Sequence, residues 1–185
     1  MKYYSIAEID DDTMPVHFKK GELPFPVSGL EDGMKLKCKP ATPTVYLDKD
    51  VVLKDWASVI LPVVSKRFLD LILQSNSEGL EYFQVNLIDK NGISHEYYVI
   101  NYIPVLKHAI DKKSSKIIKQ KSRILKDYVA IPSIIEKATK GLDIFRLEET
   151  GSSIYLTDNL RKVLKRNKIT GIDYDLTYTY DSQEK

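Results

Sequence analysis

Cysteine, tryptophan and long apolar runs are what this 185-residue chain has least of. Its one cysteine, Cys38, has no partner within the chain, so no internal disulfide can staple the fold. Cysteine this sparse fits the cytoplasm, which is the expected compartment. Lys37 and Lys39 flank Cys38 and would favour its thiolate, but the simpler reading is a cysteine in a surface loop. The most apolar stretch, Val59–Val64, contains Pro62 and falls far short of the roughly 20 residues that cross a bilayer. Residues 1–12 are too polar and too acidic to read as a signal peptide. The three histidines, His17, His95 and His108, lack metal-ligand spacing. No HExxH, phosphate-binding loop, GxGxxG or GxSxG occurs, so the usual signatures of zinc proteases, P-loop enzymes, dinucleotide binders and α/β-hydrolases are missing. No catalytic residue, metal or cofactor is expected. The net charge of +2 is too small for a global field that would gather nucleic acid or an anionic membrane.

What is present describes a globular protein. Hydrophobic residues make up 43% and charged residues 29%, well away from disordered compositions. At this length about two thirds of the unfolded surface can be buried, enough for a core without metal or disulfide. Residues 1–45 read as an irregular, proline-rich segment packed on the core. Pro15, Pro24, Pro26, Pro40 and Pro43, with Gly21, Gly29 and Gly33, interrupt every periodic run there, and Tyr3–Ala7 alone suggests a short strand. Residues 46–185 read as one compact unit.

Within that unit the pattern predicts an α+β fold, an antiparallel-rich sheet with two or more amphipathic helices packed on it. Val59–Val64 reads as a buried strand or connector. Ser65 caps a helix carrying Phe68, Leu69, Ile72 and Leu73 on one stripe, and Gly79 suits a left-handed end to it. Leu80–Ile88 and Ile93–Ile103 form a hairpin across Asp89-Lys90-Asn91-Gly92, where Asn-Gly favours a type I′ turn. Ile131-Pro132-Ser133 opens a short helix over Ile134, Ile135 and Ala138. Gly141–Glu148 and Ile154–Leu156 are strands joined by a turn at Thr150–Ser153. Thr157 caps a second helix with Leu160, Val163 and Leu164, which ends by Gly171. A last strand, Ile172–Tyr180, alternates apolar or aromatic residues with Asp173, Asp175, Thr177 and Thr179. Ser65 to Gly79 and Thr157 to Gly171 echo each other in length and content. That spacing suits either a duplication or two ordinary strand–helix–strand units.

One cluster stands out as a binding candidate. Lys112, Lys113, Lys116, Lys119, Lys121, Arg123 and Lys126 fall in a stretch with no acid. Ile117, Ile118, Ile124 and Leu125 could line one face of a helix there, although the adjacent β-branched pair also permits a strand. Such a run can contact phosphates, but no aromatic residue interleaves the charges to stack on bases. The plainer readings are a solvated face or a loop, and a third use is docking on an acidic protein. Asp173 and Asp175 share one strand face and read as its solvated side, not as a catalytic pair. Twelve tyrosines are the conspicuous excess, suited to contact surfaces but placed mostly on strands.

Asp55-Trp56 followed by Leu61–Ile72 resembles the "pro-val-val-Ser-x-Arg-phe" segment of a bacterial immunity-protein family associated with polymorphic toxins and contact-dependent or type VI secretion effectors. Tyr97–Asp111 is similar to that family's "Tyr-x-val-leu-asn-val" strand. Ile144–Leu147, Ile154–Leu156, Thr157 and Thr170-Gly171 resemble its closing pattern. The likeness spans residues 45–178, is poor between Ser114 and Ser133, and leaves the first forty residues variable. It implies a cytoplasmic, non-catalytic protein, monomer or homodimer, that binds and blocks a cognate toxin with no cofactor, membrane or nucleic acid involved. The alternatives are a small-ligand-binding or enzymatic α+β domain, or an RNA-binding accessory protein working through residues 112–126.

Overall fold

Ser65 and Thr157 each end a strand and begin a helix, and the architecture grows from these two junctions. The computed structural model describes residues 1–8, 35, 42–47, 52–58, 61–119 and 128–180. The first strands are β1 (Tyr3–Glu8), β2 (Thr44–Tyr46), β3 (Trp56–Ser58) and β4 (Pro62–Ser65), followed by helix α1 (Lys66–Leu73). Then come β5 (Glu81–Ile88), β6 (Ser94–Tyr102), β7 (Val105–Leu106), β8 (Lys116–Ile118), β9 (Tyr128–Ile131) and β10 (Ser133–Ile135). The chain continues with β11 (Ile144–Leu147), β12 (Ile154–Thr157), helix α2 (Asp158–Arg166), β13 (Ile172–Leu176) and β14 (Tyr178–Tyr180). The fold is α+β with mainly antiparallel pairing, as the pattern predicts.

Two five-stranded sheets carry the molecule, in the orders β13-β1-β12-β11-β7 and β2-β5-β6-β4-β3. They share one plan. β3 and β4 are antiparallel neighbours, α1 follows, and β5 returns parallel to β4 with β6 between them. β11 and β12 are likewise antiparallel neighbours, α2 follows, and β13 returns parallel to β12 with β1 between them. The place that β6 takes in one unit is filled in the other by the first residues of the chain. Of the N-terminal segment expected to wrap the core, Tyr3–Glu8 is therefore a middle strand, and Tyr3 is wholly buried.

The two units are also bonded alike. Ser65 N–H donates to the Asp55 carbonyl at 2.9 Å, and Thr157 N–H to the Asp143 carbonyl at 3.0 Å. The Ser65 hydroxyl donates to Asp55 Oδ1 at 2.7 Å, and the Thr157 hydroxyl to Asp143 Oδ1. Both hydroxyls also accept from the third residue of their helix, the amides of Phe68 and Leu160, as N-caps do. The second carboxylate oxygen crosses over. Asp55 Oδ2 accepts from the amide of Thr170, beyond α2, at 2.9 Å, and Asp143 Oδ2 from the amide of Asn76, beyond α1, at 3.0 Å. Each aspartate thus holds its own helix start and the loop leaving the other helix. The echo in the sequence is a repeated architecture related by a pseudo-twofold exchange.

Between the units, Phe68, Leu69 and Ile72 of α1 meet Leu160 and Leu164 of α2 over Val64, Ile100, Ile144 and Leu156. Each fully buried side chain of this size contributes at most about 1.5–3 kcal/mol. The outer face of the second sheet buries Val45, Val63, Phe83, Val85, Leu87 and Val99. Behind the first sheet, Phe145 lies edge-on to Tyr3 at 5.6 Å and stacked on Tyr155 at 6.0 Å, together with Leu147 and Ile134.

Several local expectations change. Helix α1 stops at Leu73 with Gln74 still right-handed, and the Ser75 hydroxyl donates to the Ile72 carbonyl at 2.6 Å, so no glycine is needed at its end. Gly79 is left-handed at φ 84° but serves the turn into β5. In the β5–β6 hairpin only Gly92 has positive φ. Asp89 Oδ1 accepts from the amides of Asn91 and Ile93, and Gly92 N–H bonds the Asp89 carbonyl, so a three-residue loop closing on a left-handed glycine replaces the type I′ turn. Ser133–Ile135 is strand instead of helix, because its backbone pairs with β14 and with Ile110, and only Glu136–Thr139 coils, as a 3-10 turn. The last strand is two strands. Thr177 turns inward, its amide and its hydroxyl both donating to the Tyr3 carbonyl at 3.0 and 2.9 Å, and β14 leaves to pair with β10.

Candidate partner-binding surface

Asp111 starts the region that the sequence singles out. Its carboxylate accepts from the Ser114 hydroxyl at 2.6 Å and from the Lys113 amide at 3.1 Å, and these bonds hold it below the usual carboxylate range. Its carbonyl accepts from Ser115 N–H and from the Ser115 hydroxyl, while the Ser133 amide donates back to Ser115 Oγ at 2.8 Å. This fixed turn presents Lys112 and Lys113 to solvent and launches β8.

Within the described part of the basic run, Lys116–Ile118 forms a strand and not a helix. β8 pairs antiparallel with β9, Ile117 against Val129 and Ile118 against Tyr128, and among the described residues this two-stranded ribbon has no further strand beside it. Its inner side rests on the body through Val129, which packs beside Leu147 and Tyr155. The other side is open. Tyr128 is 48% exposed there and Ile118 37%, while Ile117, opposite Val129 on the inner side, is also 37% exposed. Lys112, Lys113, Lys116 and Lys119 are all exposed, and none of the ion pairs among the described residues involves Lys112, Lys116 or Lys119. Lys121, Arg123 and Lys126 lie outside the described residues. Sequence reasoning finds the charge but misses Tyr128, which the hairpin brings against Ile118. The adjacent β-branched pair Ile117-Ile118 is the one local signal that points to this strand.

Two other surfaces compare less well. On the second sheet, α1 leaves part of one face uncovered, with Tyr46 68% exposed beside Ile88 and with Gln84 and Glu96 also open. On α2 three of the basic side chains are engaged: Asp158 pairs with Arg161 at 2.6 Å and with Lys162 at 2.7 Å, and Lys165 lies over the Tyr174 ring.

The charged groups deeper in the molecule serve the fold. Asp55 is 7% exposed and receives Ser65, Thr170 and both Nε and Nη2 of Arg67. Burial alone would push its carboxyl up, but the bonds from Arg67, Ser65 and Thr170 outweigh it and hold the group low. The bond from Lys162, then that from Arg161, brings Asp158 down to about 2. A carboxyl whose pKa is lower folded than unfolded adds stability above the unfolded value, near about 4, and loses it as pH falls through the folded value. Thermal melts are therefore expected to be level from neutral pH to about pH 4 and to decline from there toward about 2. A melting temperature unchanged over that acid range would contradict these assignments.

Asp173 and Asp175 stand exposed on β13, facing solvent. His95 Nε2 meets Asp89 Oδ2 at 3.0 Å beside the hairpin turn, and His108 is exposed. Cys38 and His17 lie outside the described residues. Among the described residues, no three His, Cys, Asp or Glu side chains gather as a metal site. No described helix is long and apolar enough to cross a membrane.

Comparison with curated proteins finds no match. Residues 14–179 match the profile of an immunity protein family (Imm11), a span that runs from before β2 into β14, takes in both helices and the basic ribbon, and leaves β1 outside. A match over most of the chain identifies it: this protein belongs to the Imm11 immunity protein family.

Proposed function

We propose that this protein acts in the cytoplasm of a bacterium, binding a cognate toxin of a polymorphic or type VI secretion system and blocking it stoichiometrically, without catalysis. The observation that carries this reading is a two-sheet body bearing an open ribbon of apolar and basic side chains, in a chain of an immunity family. A blocking protein needs a preformed surface whose apolar centre is lost to water only in the complex, and affinity follows from that centre more than from total area. The run that includes Lys112, Lys113, Lys116 and Lys119 supplies such a surface with a charged border.

The test is co-expression. Cells producing the toxin encoded beside this gene should grow when this protein is present, and the two proteins should co-purify. Continued toxicity together with failure to co-purify would contradict the proposal.

A further inference from the structure

Resting on the toxin-blocking reading, we propose that the β8–β9 ribbon is the anchor of the complex, and that it seats in an apolar cleft with an acidic rim on the toxin. A two-stranded ribbon is marginal by itself in water. This one places the cross-strand pair Ile118 and Tyr128 on its open side, where the fold gains little from them. Lysine at a sheet edge commonly serves to discourage strand-to-strand aggregation, which would explain Lys116 and Lys119 alone. It does not explain an exposed tyrosine and isoleucine directly opposite each other on the face. An aromatic–aliphatic centre bordered by exposed cations is the anatomy of a binding hot spot with its polar rim. The lysines, which have no ion-pair partner among the described residues, select an acidic occupant. Nucleic acid fits less well, since Tyr128 offers a single stacking face where strand binding uses several.

The experiment measures binding of the purified full-length protein to its purified toxin, by surface plasmon resonance at low and high salt. The variants are Tyr128→Ala and the double charge reversal Lys116→Glu with Lys119→Glu, each checked for an unchanged thermal melt. All three side chains are exposed, so the fold should survive both variants. The charge reversal is expected to slow association about tenfold at low salt and to flatten its salt dependence. Tyr128→Ala is expected to speed dissociation at least about tenfold. Tight wild-type binding with both variants within about twofold of it would overturn the anchor and leave the immunity reading standing. No binding by the wild-type protein would overturn both. Competition of the complex by a short RNA that binds the wild-type ribbon but not the charge reversal would overturn the acidic-protein assignment in favour of nucleic acid.

Discussion

Replacing Gly171 with alanine is expected to cost about 3–5 kcal/mol of folding stability, a large share of the roughly 5–15 kcal/mol typical of a domain. Gly171 sits at φ +88°, where an L side chain is strained, and is buried between the end of α2 and the start of β13. An added Cβ would lie 2.2 Å from the Trp56 carbonyl oxygen and 3.1 Å from the Lys54 Cβ. The nearest obstacle is backbone, held by Trp56 pairing with Val64 across β3 and β4, so it cannot rotate aside as a side chain would. The strain of the left-handed backbone, about 1–2 kcal/mol, adds to the cost of displacing β3. Denaturant unfolding of Gly171→Ala should show the loss as a lower midpoint. A change under about 1 kcal/mol would mean that the two loops part freely, contrary to the bonds drawn between Asp55 and Thr170.

Asp55→Ala is also expected to be costly, about 2–4 kcal/mol, because it removes a buried carboxylate shared by the Ser65 hydroxyl, the Thr170 amide and hydroxyl, and an Arg67 that itself remains exposed. Arg67 would lose its carboxylate at 2.5 Å, the Ser65 hydroxyl its acceptor, and Thr170 the acceptor of its amide at 2.9 Å and of its hydroxyl at 3.0 Å. The groups left without partners make the loss larger than the net worth of the bonds. Asp55→Asn keeps the shape and some acceptors, so it should fall between wild type and alanine. The pseudo-twofold exchange supplies an internal control. Asp143 plays the same part toward Thr157 and Asn76 but has no arginine bonded to it among the described residues and is half-buried, so Asp143→Ala should cost clearly less. Equal losses at the two positions in urea unfolding would contradict the ranking. Gly171 and Asp55 act on the same loop pair, so their effects should not add.

The parts of this fold legible in the sequence are those decided locally. Ser65 and Thr157 announce helix starts because a cap needs only a side-chain oxygen and the next turn of amides. The β5–β6 hairpin is legible from two alternating runs around Asn-Gly, yet its turn type is not, because the Asp89 carboxylate captures the amides that a type I′ turn would arrange otherwise. Distant partners are hidden. Nothing in Tyr3–Glu8 states that it will enter between β12 and β13, and nothing in Thr177 states that it will break a strand to reach the Tyr3 carbonyl. The candidate surface shows the same division. Its lysines are visible as a run without acids, but the apolar centre they border exists only once Tyr128 is paired with Ile118.

The central claim, neutralisation by one-to-one occlusion, is tested most directly by titrating this protein into a fixed amount of active toxin. The account predicts activity falling linearly to zero at one equivalent, independent of incubation time once binding is complete. Progressive inactivation by a small fraction of an equivalent would show turnover, and full activity at excess would show no blockade; either result would contradict it.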